Sequence, residues 1–140
     1  MGNTIEGDWN KLFKEYETKY PDLASEFERS LSNDLPNDFV DQIDEFINNQ
    51  QENQEDMASR KSSEVVLNFL GPLLPELVGG SADLSGSNNT RWAGTKAINE
   101  SMSNGNYLYY GVREFAMTAI VNGMVYTGEL SLMQELFLHF

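Results

Sequence analysis

Residues 77–84 of this chain read Leu-Val-Gly-Gly-Ser-Ala-Asp-Leu. A short apolar run that ends in glycines is typical of a buried strand entering a loop. Residues 107–110, Tyr-Leu-Tyr-Tyr, predict a second strand, and an apolar stripe that begins at Val112 and reaches Gly123 predicts a helix after it. Strands that alternate with helices indicate an α/β fold for the second half of the chain.

The segments around these strands extend the pattern. Residues 59–70 fit a helix that ends near Gly71 and Pro72. Residues 79–105 are rich in Gly, Ser and Asn and are predicted to be mostly loop. Residues 130–140 are apolar enough for a third strand, although a helix is also compatible with them.

The first half of the chain reads as helices. Apolar residues recur at helical spacing between Trp9 and Tyr20, and further helices are predicted after Pro21 and Asn37. Residues 48–56 contain no apolar side chain, which indicates a linker or an exposed loop. We therefore expect a helical segment at residues 1–57 and a domain at residues 58–140.

Composition excludes several classes of function. The chain has 22 acidic and 9 basic residues, so a bulk attraction to nucleic acid or to an anionic membrane is not expected. The absence of cysteine excludes disulfides and thiolate sites, and the single His139 excludes a multi-histidine metal site. With no signal-peptide core and no apolar run of about 20 residues, a cytoplasmic location is expected. The chain ends on an apolar run, from which we expect a continuation.

Two polar segments have both a functional and an ordinary interpretation. Arg60 and Lys61, at a predicted helix start, can bind an anion or can form a solvated first turn. The loop at residues 80–89 has small residues that allow close approach of a ligand at a strand end, but ordinary turn chemistry accounts for them equally well.

Glu114, in the first turn of a strongly apolar helix, also has two interpretations. Its carboxylate can simply complement the helix dipole. Alternatively, Tyr110 and Phe115 can create a half-dry setting that favours its protonated form.

Several long stretches resemble the transketolase family, in order and in spacing. They are residues 58–61 (Ala-Ser-Arg-Lys), 71–76 (Gly-Pro-Leu-Leu-Pro-Glu), 79–84, 87–88, 105–107, 111–115 (Gly-Val-Arg-Glu-Phe), 117–120 and 122–123. Residues 9–21 and 35–39 resemble the helical link between the first and second domains of that family. The resemblance implies that the α/β part is an incomplete pyrimidine-type domain that binds thiamine diphosphate.

The resemblance also implies an activity. Transketolases of the pentose phosphate pathway transfer a two-carbon ketol unit between sugar phosphates, using thiamine diphosphate and a divalent cation, magnesium or calcium. Glu114 matches the glutamate that hydrogen-bonds the pyrimidine N1′, a contact that favours the imino tautomer and makes Glu114 the implied catalytic residue. Arg60 and Ser87 match positions that hold the substrate phosphate, and Asp83 matches a loop carboxylate near the cofactor.

Phe137 and Phe140 match aromatic residues that pack on the pyrimidine, with ordinary core packing as the alternative. The sequence departs from the family just before them. Residues 130–136 lack the usual proline and the run of small hydroxyl residues.

Association is implied because the active site of the family lies between two subunits. The diphosphate- and metal-binding domain and the C-terminal domain are expected outside this chain, so no residue here is assigned as a metal ligand. Complementary transketolase domains or a second subunit, as in a homodimer, are the expected partners, and the chain alone is expected to be inactive. The alternative is a non-catalytic truncated remnant that binds partner chains or sugar phosphate only.

Overall fold

The computed structural model describes residues 2–127 and 133–134. In chain order its elements are α1 (Gly2–Lys19), α2 (Pro21–Leu31), α3 (Phe39–Asn53), α4 (Ser59–Leu73), β1 (Val78–Ser81), α5 (Ser85–Asn88), β2 (Tyr107–Tyr109), α6 (Glu114–Thr127) and β3 (Met133–Gln134). The chain divides into two compact units, Met1–Leu35 and Pro36–Phe140. Among the described residues, no helix combines the length and the apolarity needed to cross a membrane.

The first unit contains the helices α1 and α2. Pro21 occupies the start of α2, where its missing N–H and fixed φ fit the first helical turn. Phe13 of α1 packs against Phe27 of α2 with ring centroids 5.7 Å apart, and Ala24 is buried. The helical prediction for this part of the chain is confirmed.

The second unit begins with α3, and here one prediction was wrong in part. Residues 48–53, predicted as linker or loop, continue α3 to Asn53, although their side chains are exposed as expected. Once the apolar first turns of a helix have formed, adding polar residues costs little, so a helix can extend beyond its apolar face. The helix ends at Gln54, which has a φ of 30°. The predicted domain boundary between residues 57 and 58 remains a prediction.

The second unit contains a small parallel sheet with the strand order β2-β1-β3. Gly79 is in register with Tyr107, and Val78 with Met133. The two strands predicted near residues 77–80 and 107–110 are therefore confirmed, as is the α/β class. Of the predicted third strand, β3 is present, while residues 130–132 and 135–140 lie outside the described residues.

Close packing explains the glycine in the middle of β1. A Cβ atom at Gly80 would overlap the ring of Tyr110 and lie 2.9 Å from the carbonyl oxygen of Leu108. The backbone of β2 and the residue that follows it thus occupy the space of a side chain. Gly80 is required here because two segments of backbone and a ring meet at this point.

Two apolar clusters flank the sheet. The larger consists of Leu67, Leu74, Leu77, Trp92 and Tyr107, and the smaller of Ala82, Tyr110 and Met117. In the larger cluster Tyr107 is fully buried, and its hydroxyl shares a hydrogen bond with Thr90. Burial raises the pKa of Tyr107, because the apolar surroundings disfavour the phenolate.

Candidate functional site

The carboxyl ends of β1 and β2 lie at the same edge of the sheet, because the two strands are parallel and adjacent. The segment after β1 carries Asp83 and Ser87, and the segment after β2 carries Glu114. From β2 the chain passes through α6 and crosses β1 to form β3, so the strand order reverses beside β1. Ligands of open α/β sheets bind at such a reversal, beyond the carboxyl ends of the strands.

The turn after β1 has an unusual backbone. Asp83 is exposed and has a φ of 64°, in the left-handed region where Asp is tolerated better than most residues. The next amide, that of Leu84, donates a 3.2 Å hydrogen bond to the Ser81 hydroxyl. This turn leads into α5, where the side chain of Ser87 is exposed.

The turn after β2 places Glu114 at the first position of α6. Gly111 has a φ of 62°, and the Arg113 guanidinium donates a 2.8 Å hydrogen bond back to the carbonyl oxygen of Tyr110. The carboxylate of Glu114 therefore lies in the first helical turn, where the helix dipole stabilises a negative charge. This placement fits the helix-dipole interpretation of Glu114, and its catalytic role stays a prediction.

The half-dry setting expected around Glu114 is not formed by the described residues of this chain. Glu114 is exposed, and Phe115 beside it is 88% exposed. Val112 is 74% exposed, whereas Tyr110 is buried in the smaller apolar cluster. The apolar groups next to the carboxylate thus point outward, because within the described residues no further layer packs over this end of α6.

Arg60 reaches the same edge of the sheet from the other direction. The helix α4 is joined to β1 by the short segment 74–77, and Asn89, after the carboxyl end of β1, contacts Glu64 near the start of α4. The beginning of α4 therefore lies at the carboxyl edge. Arg60 is exposed in the first turn of this helix.

Sequence reasoning missed the polar contacts that join α4 to the loop after β1. The Asn89 amide nitrogen donates to the Glu64 carboxylate at 3.1 Å, and the amide of Ala93 donates to the Asn68 side-chain oxygen at 2.8 Å. Each contact spans 25 residues of sequence, so no local periodicity reveals it. An open cleft of about 440 Å³ lies between α4 and this loop.

Two of the predicted cofactor contacts, Phe137 and Phe140, lie outside the described residues. Within residues 2–127 and 133–134, no group of three or more His, Cys, Asp or Glu side chains is arranged to hold a metal ion. Of the predicted site residues that the structure describes, Asp83, Ser87 and Glu114 follow the carboxyl ends of β1 and β2. Arg60 lies in the first turn of α4, one turn before Glu64, which contacts Asn89 after β1.

Comparisons with known proteins identify the family of the chain. Residues 55–140 match the family model described as "Transketolase, pyrimidine binding domain". The chain belongs to this family. It is 49% identical over 128 residues to the transketolase of Buchnera aphidicola subsp. Baizongia pistaciae, covering 91% of this chain and 19% of the relative. It is 50% identical over 123 residues to transketolase 1 of Escherichia coli, covering 88% of this chain and 18% of the relative.

Solved transketolase structures give the same result for the fold. A crystal structure of the Pichia stipitis transketolase in complex with sedoheptulose-7-phosphate superimposes with a TM-score of 0.72 at 37% identity. That match covers 86% of this chain and 18% of the structure. The Leishmania mexicana transketolase gives a TM-score of 0.69 at 33% identity over 86% of this chain and 17% of the structure. The chain therefore spans less than a fifth of the length of each of these transketolases, and the predicted family resemblance is confirmed.

Proposed function

We propose that this chain serves as part of a transketolase, which transfers a two-carbon ketol unit between sugar phosphates with thiamine diphosphate. The observation that carries the proposal is the position of Glu114, which begins α6 at the carboxyl edge of the sheet within a match to the pyrimidine-binding family. The pentose phosphate pathway and the cytoplasm are the context that the proposal implies.

In this proposal the Glu114 carboxyl group would form a hydrogen bond to the pyrimidine N1′ of the cofactor. When bound, thiamine diphosphate supplies the carbon nucleophile and the electron sink for the reaction. The exposed carboxyl beside the outward-facing Phe115 and Val112 suits an aromatic ring that approaches from outside the chain. Closure over this ring would remove water and strengthen this hydrogen bond.

The described residues fit one end of the cofactor better than the other. A carboxyl group with apolar neighbours suits the pyrimidine, and Asp83 lies at the same edge of the sheet. A metal–diphosphate group needs a set of oxygen ligands, and among the described residues no group of three or more His, Cys, Asp or Glu side chains is placed to hold a metal ion. We therefore assign the diphosphate and the magnesium or calcium ion to residues beyond the described part of this chain.

Arg60 and Ser87 are proposed to hold the phosphate of the sugar substrate. A guanidinium group makes strong, charge-assisted hydrogen bonds to phosphate oxygens, and a serine hydroxyl can donate another. Both side chains are exposed at the carboxyl edge of the sheet, where a phosphate can reach them.

The site requires a second polypeptide surface. Along α6, Phe115, Val125 and Tyr126 are exposed, with Tyr126 at 91%. An exposed apolar helix face of this kind is typical of a protein–protein interface. We propose that complementary transketolase domains or a second subunit, as in a homodimer, cover this face and complete the setting around Glu114.

The exposure of Glu114 also favours a second candidate function. A chain that presents an apolar helix but no enclosed site can act as a non-catalytic remnant that binds partner chains or sugar phosphate only. In that case Glu114 serves the helix dipole alone.

Reconstitution distinguishes the two candidates. The chain is mixed with a transketolase that lacks the matching segment, complex formation is followed by size-exclusion chromatography, and ketol transfer is assayed from xylulose 5-phosphate to ribose 5-phosphate. We expect activity with the unaltered chain, none with Glu114→Ala, and full activity with the matched control Glu52→Ala on α3. A complex that forms normally but remains inactive with the unaltered chain would refute the catalytic role and leave the binding role.

A further inference from the structure

We infer that Glu64 and Asn89 form a clasp that positions Ser87 and Arg60 for phosphate binding. The inference rests on the proposed function of these two residues, and it concerns contacts that neither the family match nor the sequence pattern assigns. In it, Glu64 and Asn89 are positioning residues and do not touch the ligand.

The short helix α5 depends on contacts with the rest of the protein for its stability. It has four residues, Ser85–Asn88, and an isolated helix of this length is unstable in water. Its end is defined by Asn89, which has a φ of 52° and whose backbone amide donates to the carbonyl oxygen of Ser85. Fixing Asn89 therefore fixes the turn that carries Ser87.

Glu64 holds the side chain of Asn89 in place. Its carboxylate accepts a hydrogen bond of 3.1 Å from the Asn89 side chain and forms an ion pair of 2.8 Å with Lys61. The side chain of Glu64 is 27% exposed, whereas that of Lys61 is 56% exposed. The contact to Asn89 is thus partly shielded from water, and a hydrogen bond to a charged acceptor in such a place holds its geometry well.

The same side of α4 carries Arg60. Residues four apart along a helix are neighbours on one face, which places Arg60, Glu64 and Asn68 in one row. Glu64 and Asn68 both contact the loop after β1, at Asn89 and at Ala93. Arg60 continues this row by one turn toward the start of the helix, so the clasp holds the turn that carries Ser87 against the helical face of Arg60.

The negative charge of Glu64 and its contact with Asn89 have opposite effects on phosphate affinity. A carboxylate one turn from Arg60 weakens anion binding electrostatically. Removal of the charge alone is expected to leave phosphate affinity equal or higher, whereas removal of the clasp alone is expected to lower it. The two effects are separated by Glu64→Gln, which retains an acceptor oxygen for Asn89, and by Asn89→Gly, which changes no charge and tolerates the positive φ.

The test uses the whole chain, ¹⁵N-labelled, titrated with fructose 6-phosphate and separately with inorganic phosphate. Shifts of the Arg60 and Ser87 amides report binding. Asn89→Gly should weaken fructose 6-phosphate binding about threefold to tenfold, the effect of one lost hydrogen bond, while Glu64→Gln should bind as tightly as the unaltered chain or tighter. Asn33→Gly, the same replacement at another asparagine with a positive φ of 58°, should bind normally.

Amide hydrogen exchange provides a second measurement that needs no ligand. Asn88 and Thr90 donate backbone hydrogen bonds to Leu84 and Ser85. Their exchange should become faster in Asn89→Gly but not in Glu64→Gln.

The outcomes distinguish the positioning role of Glu64 and Asn89 from the phosphate-binding role of Arg60 and Ser87. If the unaltered chain binds fructose 6-phosphate and Asn89→Gly binds it equally well, the clasp is refuted and the phosphate role of Arg60 and Ser87 stands. If the Arg60 and Ser87 amides of the unaltered chain do not respond to either probe, the phosphate role is refuted, and the positioning role is refuted with it. Unchanged exchange at Asn88 and Thr90 in Asn89→Gly also overturns the clasp.

Discussion

The backbone amide of Tyr110 donates a hydrogen bond of 3.1 Å to the carbonyl oxygen of Ser81. Ser81 is the last residue of β1, and Tyr110 directly follows β2. This bond extends the pairing of the two strands to the point where each strand enters the loop that follows it. The segments that carry Asp83 and Glu114 therefore start from positions that this hydrogen bond joins.

Substitution at Gly80 should disturb that position. In Gly80→Ala the new methyl group would overlap the ring of Tyr110 and approach the carbonyl oxygen of Leu108 to 2.9 Å. We expect a loss of about 1–3 kcal/mol in the free energy of unfolding, as for other overpacked sites. Urea unfolding followed by circular dichroism measures it. Gly86→Ala, where no atom lies within 4 Å of the added carbon, is the matched control and should unfold almost as the unaltered chain does.

The buried phenol of Tyr107 should make stability depend on pH in the alkaline range. Its folded-state pKa lies above the ordinary value of 10.0, chiefly because burial disfavours the phenolate. The stabilisation is thus fully present below about pH 10 and declines as the pH rises toward the folded pKa, because the unfolded chain releases the proton first. Tyr107→Phe should remove this part of the decline, which is measured as the difference between the two unfolding curves from pH 8 to 11. A decline of equal size in both proteins would contradict the assignment.

The hydrogen bond between Tyr107 and Thr90 should appear as coupling between the two residues. Tyr107→Phe leaves the buried Thr90 hydroxyl without this partner, which should cost about 1–3 kcal/mol. Thr90→Val should cost a similar amount, and the double variant should cost less than the sum of the two. A double-mutant cycle from urea unfolding measures the coupling. Strict additivity would show that the contact contributes nothing.

Local sequence patterns predicted the strands of the sheet, whereas a contact between distant residues near the candidate site was not predicted. Glycines after an apolar run revealed β1, and the aromatic segment at residues 107–110 revealed β2, because both patterns are local. The placement of Asp83 and Glu114 at one edge follows from parallel pairing of those strands. The contact between Glu64 and Asn89 was not predictable, because it depends on how a helix packs against a loop 25 residues away.

The environment of Glu114 was also not predictable from the sequence, for a different reason. The apolar stripe around Phe115 was recognisable, but a stripe does not specify what covers it. In the described residues Phe115 faces outward, so they do not form the half-dry setting expected around Glu114, and the proposed function assigns its completion to a second surface. Residues 48–53 were predicted to be loop but form the end of α3, because helix propagation needs no apolar side chain.

The exposed side chain of Phe115 gives a direct test of that second surface. Phe115→Ser removes an apolar group that is 88% exposed, so the free energy of unfolding of the isolated chain should change by no more than about 0.5 kcal/mol. Association with complementary transketolase domains should weaken at least tenfold, since burial of a phenyl group contributes about 1.5–3 kcal/mol. Calorimetric titration measures the association, and urea unfolding measures the stability. The control Leu74→Ser, at a residue that is 1% exposed, should instead destabilise the fold. If Phe115→Ser associates as tightly as the unaltered chain, this face of α6 is not the interface, and the setting around Glu114 must be completed from another direction.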